Sequence, residues 1–475
     1  MARLPELPNE LLLNIVSHLI GDAKSLQNLC LTSRLFLAVA QPALYTCVQI
    51  VEAASDPLMH MKSFLSTLLR RPSLAKATQE LYLINDLGVR YEWPALGNDT
   101  QFMEISSFVG GHPSEIEPNL CYYPLAVEVL ARLPNLRHLH LTAQIEHPHA
   151  LFHRLHELQS LQADTSILRN LRTIHLDKEY EDGMVNIDDY IQFMRYPSFE
   201  RLATNSVTPN VFGYPSTNTL THSNIELYWC VAHLPIIRRL LDACPRVKMF
   251  CFVFPEAWRY KTMSDVWYLP VIAPRDMVTA LLASHTRTLK ILHLDFHNYY
   301  NLASRRFRRE LGGDGVDFSE SDYTYPSFRS FEHLAHMTIE FEKLNRVSDL
   351  PESLESINLQ FCRFAELGKD ALSDLVRMKK WCPVIENVIV SGEEKTDEGI
   401  TMVLEHARAL DPPTPFQATA NGRVLTFLGI GRHLQLQSRD PMFSDESDES
   451  DEDDEDDENN VEVEEDDVET GGETE

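Results

Sequence analysis

The sequence lacks any run of 18 or more apolar residues, so no segment is predicted to cross a bilayer as a helix. A secretory leader is not evident either: one early arginine, Arg3, is followed by apolar residues broken by Pro5, Glu6, Pro8, Asn9 and Glu10. Both absences predict an intracellular protein, cytoplasmic and/or nuclear, with no membrane partner. The eight cysteines, at 30, 47, 121, 230, 244, 251, 362 and 382, include no C-x-x-C pair. Their scatter fits reduced, packed thiols better than a disulfide framework or a zinc site. The phosphate-cradling G-x-x-x-x-G-K-[ST] and G-x-G-x-x-G patterns do not occur, nor do G-x-S-x-G and H-E-x-x-H. The sequence thus predicts no cofactor, no metal and no catalytic constellation.

A basic excess is also missing. The formal net charge is −29, but residues 444–475 alone carry 20 Asp/Glu and no Lys/Arg, leaving 51 acids against 42 bases elsewhere, or −9. A mildly acidic folded part argues against a nucleic-acid partner, which needs a basic stripe to neutralise phosphates. Residues 436–475 hold too little apolar content and too much like charge to fold, and are predicted to be a disordered acidic tail. Ser444, Ser447 and Ser450 sit among its acids as candidate sites for acidophilic kinases.

What is present begins with three short helical patterns within residues 4–47. Leu11, Ile15 and Leu19 recur on one stripe after Pro8. Gly21 is a plausible stop, with Asp22 or Ser25 as the next cap; Leu26, Leu29 and Cys30 come next at helical spacing. Ser33 caps a third pattern carrying Phe36, Val39, Ala40 and Ala43. Segments of about this size seldom bury a sufficient core alone. Leu7, Leu12, Val16, Leu31, Leu35 and Leu37 add apolar residues around more than one stripe, so the unit reads as half of an interface.

The order Leu7-Pro8-x-Glu10-Leu11-Leu12-x-x-Ile15-x-x-x-Leu19, then Leu26-x-x-Leu29-Cys30-Leu31-Thr32-Ser33-Arg34-Leu35-Phe36, closing at Leu44-Tyr45, resembles the F-box motif. The resemblance implies binding to the Skp adaptor of a cullin–RING ubiquitin ligase through Leu7, Pro8, Leu11, Ile15, Leu26, Leu29 and Leu31. The stretch Leu68-Leu69-Arg70-Arg71-Pro72-x-Leu74-Ala75, with Glu80-Leu81-Tyr82-Leu83 after it, resembles the segment often found next to the F-box in fungal members of that family. It would form a helix, a turn and a first strand.

From about 76 to 430 a frame recurs: apolar-x-x-apolar-x-x-apolar-x-apolar. Copies are Leu133/Leu136/Leu139/Leu141, Leu168/Leu171/Ile174/Leu176, Cys244/Val247/Phe250/Phe252, Phe331/Leu334/Met337/Ile339 and Cys382/Ile385/Val388/Val390. Shorter or degenerate copies are Leu289/Leu292/Leu294, Leu354/Ile357/Leu359 and Phe199/Leu202/Asn205/Val207, and Ile225/Leu227/Trp229 is a candidate. The last two apolar positions alternate as in a half-buried strand. Helical patterns precede several: Ile237/Leu240/Leu241, Met277/Leu281/Leu282 and Leu372/Leu375/Met378. Helix then short strand, repeated, is the unit of a leucine-rich-repeat solenoid. The closing positions are 20 to 45 residues apart, against roughly 20–29 in regular repeats, and the asparagine of the regular consensus is not evident. Insertions near 90–120, 178–190, 256–275 and 296–326 are expected as variable loops that build a recognition surface.

Remaining candidates for chemistry have bland readings. His138, His140, His147, His149, His153 and His156 cluster in sequence but occupy variable or turn positions, which favours exposed histidines over a metal site. Cys244 and Cys382, each followed by proline, fall at packing positions of the frame. Gly312-Gly313-Asp314-Gly315 reads as a flexible turn, and Arg305-Arg306-Phe307-Arg308-Arg309 as a solvated basic face or a grip for an acidic partner.

The expected fold is therefore α/β: a three-helix F-box over 1–47, an irregular leucine-rich-repeat-like solenoid over 48–435 and the tail over 436–475. The expected function is a non-enzymatic substrate adaptor of a Skp–cullin–F-box ligase, with a protein substrate the sequence does not name. The alternative is a scaffold that binds the Skp adaptor, or basic proteins through the tail, without mediating ubiquitination.

Overall fold

A computed structural model of the chain describes residues 7–53, 58–86, 118–142, 155, 168–177, 185–186, 194, 197–205, 207–208, 220–230, 232, 234–254, 272–298, 324–362, 378–392, 416–421 and 424–429. All of them fall in one compact unit, Met1–Ile430. The acidic tail, the Arg305–Arg309 run and the glycine-rich turn near 312 lie outside the described residues.

Three helices open the chain: α1 (Asn9–His18), α2 (Ala23–Thr32) and α3 (Arg34–Leu44). The chain then passes at once into strand β1 (Cys47–Ala53), which the sequence pattern does not separate from the helical unit. Helices α4 (Met59–Arg70) and α5 (Pro72–Ala77) lead to β2 (Glu80–Asp86). Pro72 occupies the first turn of α5, where its missing N–H costs nothing. The further strands are β3 (His138–Thr142), β4 (Thr173–Asp177), β5 (Val185–Asn186), β6 (Arg201–Asn205), β7 (Val207–Thr208) and β8 (Asn224–Tyr228). They continue as β9 (Met249–Val253), β10 (Ile291–Asp295), β11 (His336–Glu340), β12 (Ser356–Cys362), β13 (Asn387–Gly392), β14 (Phe416–Asn421) and β15 (Val424–Gly429). Helices Pro118–Ala131, Leu234–Ala243 and Pro274–Ser284 precede β3, β9 and β10. Of the expected pattern Leu372/Leu375/Met378, only Met378 is described, in a single 3₁₀ turn, Met378–Lys380.

Among the described residues thirteen strands form one sheet in the order β1-β2-β3-β4-β6-β8-β9-β10-β11-β12-β13-β15-β14. From β1 to β13 every pairing is parallel and keeps the chain order; β13, β15 and β14 pair antiparallel at the end. The candidate Ile225/Leu227 is a true strand, β8, and it divides the long interval between Val207 and Phe252.

Register explains the sequence frame. Leu81, Leu139, Ile174, Leu202, Ile225, Phe250, Leu292, Met337, Ile357 and Val388 stand opposite one another, strand by strand. None of them is more than 2% exposed. A second column two residues on, including Leu83, Leu141, Leu176, Leu227, Phe252 and Leu294, points the same way and is also buried. A strand has period two, so these two columns share one face, and that face lies over the core.

Each step is tied to the one before by the same device. A carbonyl ahead of one strand accepts two consecutive N–H groups of the next: Gln79 O from Arg137 and His138, Arg137 O from Arg172 and Thr173, Lys290 O from Ala335 and His336. Side chains add staples between successive turns. Asn135 Nδ2 donates to Lys76 O at 2.7 Å, Asn170 Nδ2 to Pro134 O at 2.9 Å, and Ser198 Oγ to Arg169 O at 2.7 Å. These contacts satisfy backbone acceptors of the turns that would otherwise be left unpaired.

Two buried groups make stability depend on pH in opposite directions. His222 is fully buried against Phe199, ring centroids 4.6 Å apart, and neither ring nitrogen has a partner among the described residues. Desolvation pushes its pKa down to about 3, so the fold holds it neutral while the unfolded chain takes a proton below about 6.5. Stability conferred by the neutral ring is complete above that value and is lost as pH falls. Linkage sets the loss at about 2 kcal/mol between pH 7 and 5. His222→Leu is expected to flatten the decline of the urea midpoint across that interval, though not abolish it. His175 and His293, each lowered to about 4 by burial, share the window.

Glu340 works the other way. Burial, and then the nearby Asp295 carboxylate, push it up to about 8, while its oxygens accept from Phe296 N–H and Tyr325 O–H. The fold keeps the proton that the unfolded chain releases above about 4.5, so stability falls as pH rises from there through 8. Glu340→Gln is expected to raise the unfolding free energy read from urea titration at pH 8, by about 4 kcal/mol, and to leave it nearly unchanged at pH 4.

Candidate docking site on the N-terminal helices

Local sequence sets the three helices. Pro8 stands at the start of α1, where its fixed φ of −52° and ψ of 146° leave the next turn free to form. Gly21 adopts φ 101°, a left-handed conformation that ends the α1 region at low steric cost. Asp22, rather than Ser25, caps α2: its Oδ1 accepts from Ser25 N–H at 3.0 Å. Ser33 caps α3, its Oγ accepting from Phe36 N–H at 3.2 Å.

Inside, these helices share a small core. Val16, Leu26 and Ala40 form its buried centre, with Leu19, Leu29, Cys30, Val39, Ala43 and Leu44 packed against it. On α1 the inward stripe is Leu12 and Val16, 1% and 4% exposed. The neighbouring stripe of Leu11 and Ile15 faces out, at 48% and 39%. Both stripes have helical spacing, so periodicity alone could not say which turned inward.

Of the residues that the motif singles out, Leu11, Ile15 and Leu31 are exposed, Leu31 at 79%, and Pro8 is exposed beside them. Leu7 and Leu29 are half-buried. Leu26 differs from these: at 2% exposure it belongs to the small core that the three helices share. Leu13, Ile20, Leu35 and Leu37 are exposed as well and were not among the residues chosen from the motif. Among the described residues, seven of the eleven exposed large hydrophobic side chains fall between Leu11 and Leu37. Exposed apolar side chains are thus concentrated in the helical segment, whereas elsewhere among the described residues they occur singly.

The unit is nevertheless anchored to the sheet. Gln79 and Glu80 N–H both donate to Thr46 O, Arg71 Nη1 donates to Gln41 Oε1 at 3.0 Å, and Tyr45 stacks on Phe64 with centroids 6.2 Å apart. A cleft of about 690 Å³ opens at this junction, lined by Leu26, Leu44, Tyr45, Cys47, Phe64 and Tyr82, among others.

The second candidate surface is the face of the sheet opposite the core. His138 and His140 lie there, as the alternation predicts. His138 is exposed and its Nδ1 meets Thr173 Oγ1; His140 lies 3.9 Å from Asp177 through Nε2. No group of three or more His, Cys, Asp or Glu among the described residues has metal-binding geometry. His147, His149, His153 and His156 lie outside those residues. Further along, Arg201 Nε and Nη2 donate to the two oxygens of buried Glu226 at 2.7 and 2.8 Å. Cys251 Sγ lies 3.4 Å from His293 Nδ1, and burial raises the Cys251 thiol well above its ordinary range. Burial also pushes Cys244 and Cys382 up to about 12. Thiols so shifted carry almost no thiolate at neutral pH.

Residues 4–50 match the F-box-like family, a span that takes in all three helices and the start of β1. The chain therefore carries an F-box-like domain at its N-terminal end. No curated protein matches the chain as a relative. No helix among the described residues is long and apolar enough to cross a membrane.

Proposed function

We propose that the chain is the substrate-recognition subunit of a Skp–cullin–F-box ubiquitin ligase. The observation that carries this reading is the exposed apolar set of α1 to α3 within the segment matching the F-box-like family. The helices bury only a small centre of their own, so a partner that covers Leu11, Ile15 and Leu31 gains roughly 1–2 kcal/mol at Leu31 and about 1 kcal/mol at each of the two half-exposed side chains. The Skp adaptor is that partner, and the cullin scaffold comes with it.

The remaining chain, about 48–435, is a leucine-rich-repeat-like solenoid whose sheet face and insertions hold a protein target. The in-register apolar columns and the repeated carbonyl bridge support one structural unit used again and again, as in solenoids. Catalysis in such a complex is positional: the subunit raises the effective concentration of target lysines near a charged conjugating enzyme and forms no covalent bond itself.

Affinity purification of the tagged full-length chain with mass spectrometry tests the whole reading. Skp adaptor and cullin are expected among the partners, with at least one further protein that accumulates when the proteasome is blocked. Skp adaptor without cullin or any accumulating target would leave a scaffold instead of a ligase subunit. Absence of the Skp adaptor would overturn the proposal.

A further inference from the structure

The outward face of the sheet has an uneven charge that no linear motif displays. Register places the carboxyl groups of Glu80, Asp177, Glu226 and Asp295 on it, against a single cation, Arg201, among the described residues; Glu340 lies on the same face but keeps its proton at neutral pH. That arginine is already held by both oxygens of Glu226. No lysine occupies any described position of this face from β2 to β13.

Beside the helical unit, on β2 to β4, the same face carries a ladder of rings. Tyr82, His140 and His175 are register partners. Tyr82 stacks on His140 with centroids 5.3 Å apart, and His140 meets His175 at 4.3 Å. All three are partly exposed, and His175 Nε2 has no hydrogen-bond partner among the described residues. Desolvation lowers both imidazoles, His175 to about 4, so at neutral pH the ladder adds no positive charge of its own. At its end stands the Asp177 carboxylate, 32% exposed, which accepts one bond from Asn205 Nδ2 at 3.1 Å and otherwise faces the neutral His140.

We propose that this stretch receives a cationic side chain, an arginine or lysine on a segment of the protein target, lying over the Tyr82–His140–His175 rings with its charge against Asp177. The proposal rests on the reading that the sheet holds the target, and it names the chemistry of what is held. Because Tyr82 and His140 stack face to face, the ladder offers mainly ring edges outward, against which the aliphatic stem of the cationic side chain packs while its charge reaches Asp177. The carboxylate retains free lone pairs for a charge-assisted bond. An acidic or phosphorylated segment would meet Asp177 and Glu80 as like charges, with Arg201 already engaged.

The test uses the labelled full-length chain and four bead-bound dodecapeptide libraries, neutral except for a fixed central Arg, Lys, Gln or Glu. Retention on the Arg and Lys libraries is expected to exceed that on Gln and Glu by about tenfold. Asp177→Asn, nearly isosteric, should lower Arg and Lys retention several-fold toward the Gln level. Asp177→Lys should reverse the preference toward Glu, a gain that a misfolded variant cannot give. Tyr82→Ala should cut Arg retention roughly threefold. The acidic tail attracts cations whichever variant is used, so the support comes from the change between the unsubstituted chain and its Asp177 variants on one library, where the tail's contribution cancels. Equal retention on the four libraries, or Arg retention unmoved by both Asp177 variants, overturns the proposal. Co-purification of the Skp adaptor, measured on the same variants, should be unchanged; its absence from the unsubstituted chain would sink the adaptor reading instead.

Discussion

An Ile15→Asp chain is expected to lose its Skp adaptor in pull-down, by at least about a hundredfold in affinity, while its own melting temperature stays within a degree or two. Ile15 lies 39% exposed on the outward stripe of α1 next to Leu11, and Leu12 and Val16, not Ile15, fill the space beneath. A carboxylate there costs the free chain little because water still solvates it. In a complex it would be stripped of water inside an apolar seam without a counter-charge, a penalty of several kcal/mol. Leu31→Asp, at the most exposed leucine of the set, provides the parallel measurement. Leu26→Asp is a contrasting control: it should unfold the helical unit, since Leu26 sits in the small core with Val16 and Ala40. Full retention of the adaptor by both Ile15→Asp and Leu31→Asp would place the docking surface elsewhere.

The core should show the other large effect. Phe252 is fully buried on β9, stands opposite Leu227 and Leu294 and meets the ring of Phe296 at 5.1 Å. Phe252→Ala removes a ring that three neighbouring strands close around, and packed sheets collapse only partly into such a hole. The expected cost is about 3–5 kcal/mol, read as a fall in the urea midpoint of the full-length chain. Domains are typically stable by only about 5–15 kcal/mol, so this substitution should also lower soluble yield. A change below about 1 kcal/mol would mean that β9 is not central to the sheet.

The contrast between these two sites shows where sequence reasoning reached. Alternating apolar pairs at Leu139/Leu141, Ile174/Leu176, Phe250/Phe252 and Val388/Val390 announce strands with one buried face, and all four pairs lie on paired strands. Capping residues Asp22 and Ser33 mark helix starts because their side chains bond the backbone two or three residues on, a local matter. Strand β1 was missed because Cys47–Ala53 comes directly after α3 with no turn signal between them. Its partner, β2, is more than thirty residues away in the chain.

Local sequence, then, determined the helices with their caps, the alternation of the strands and the surplus of apolar residues in the first helices, since each depends on neighbours within a turn or two. Only the tertiary structure decided which of two adjacent stripes on α1 turns inward, that Leu26 is core and Leu31 surface, and that Tyr82, His140, His175 and Asp177 meet across three strands. Those outcomes arise from register and packing between segments far apart in the chain, and a linear pattern carries no record of which distant side chain will fill the space beside it.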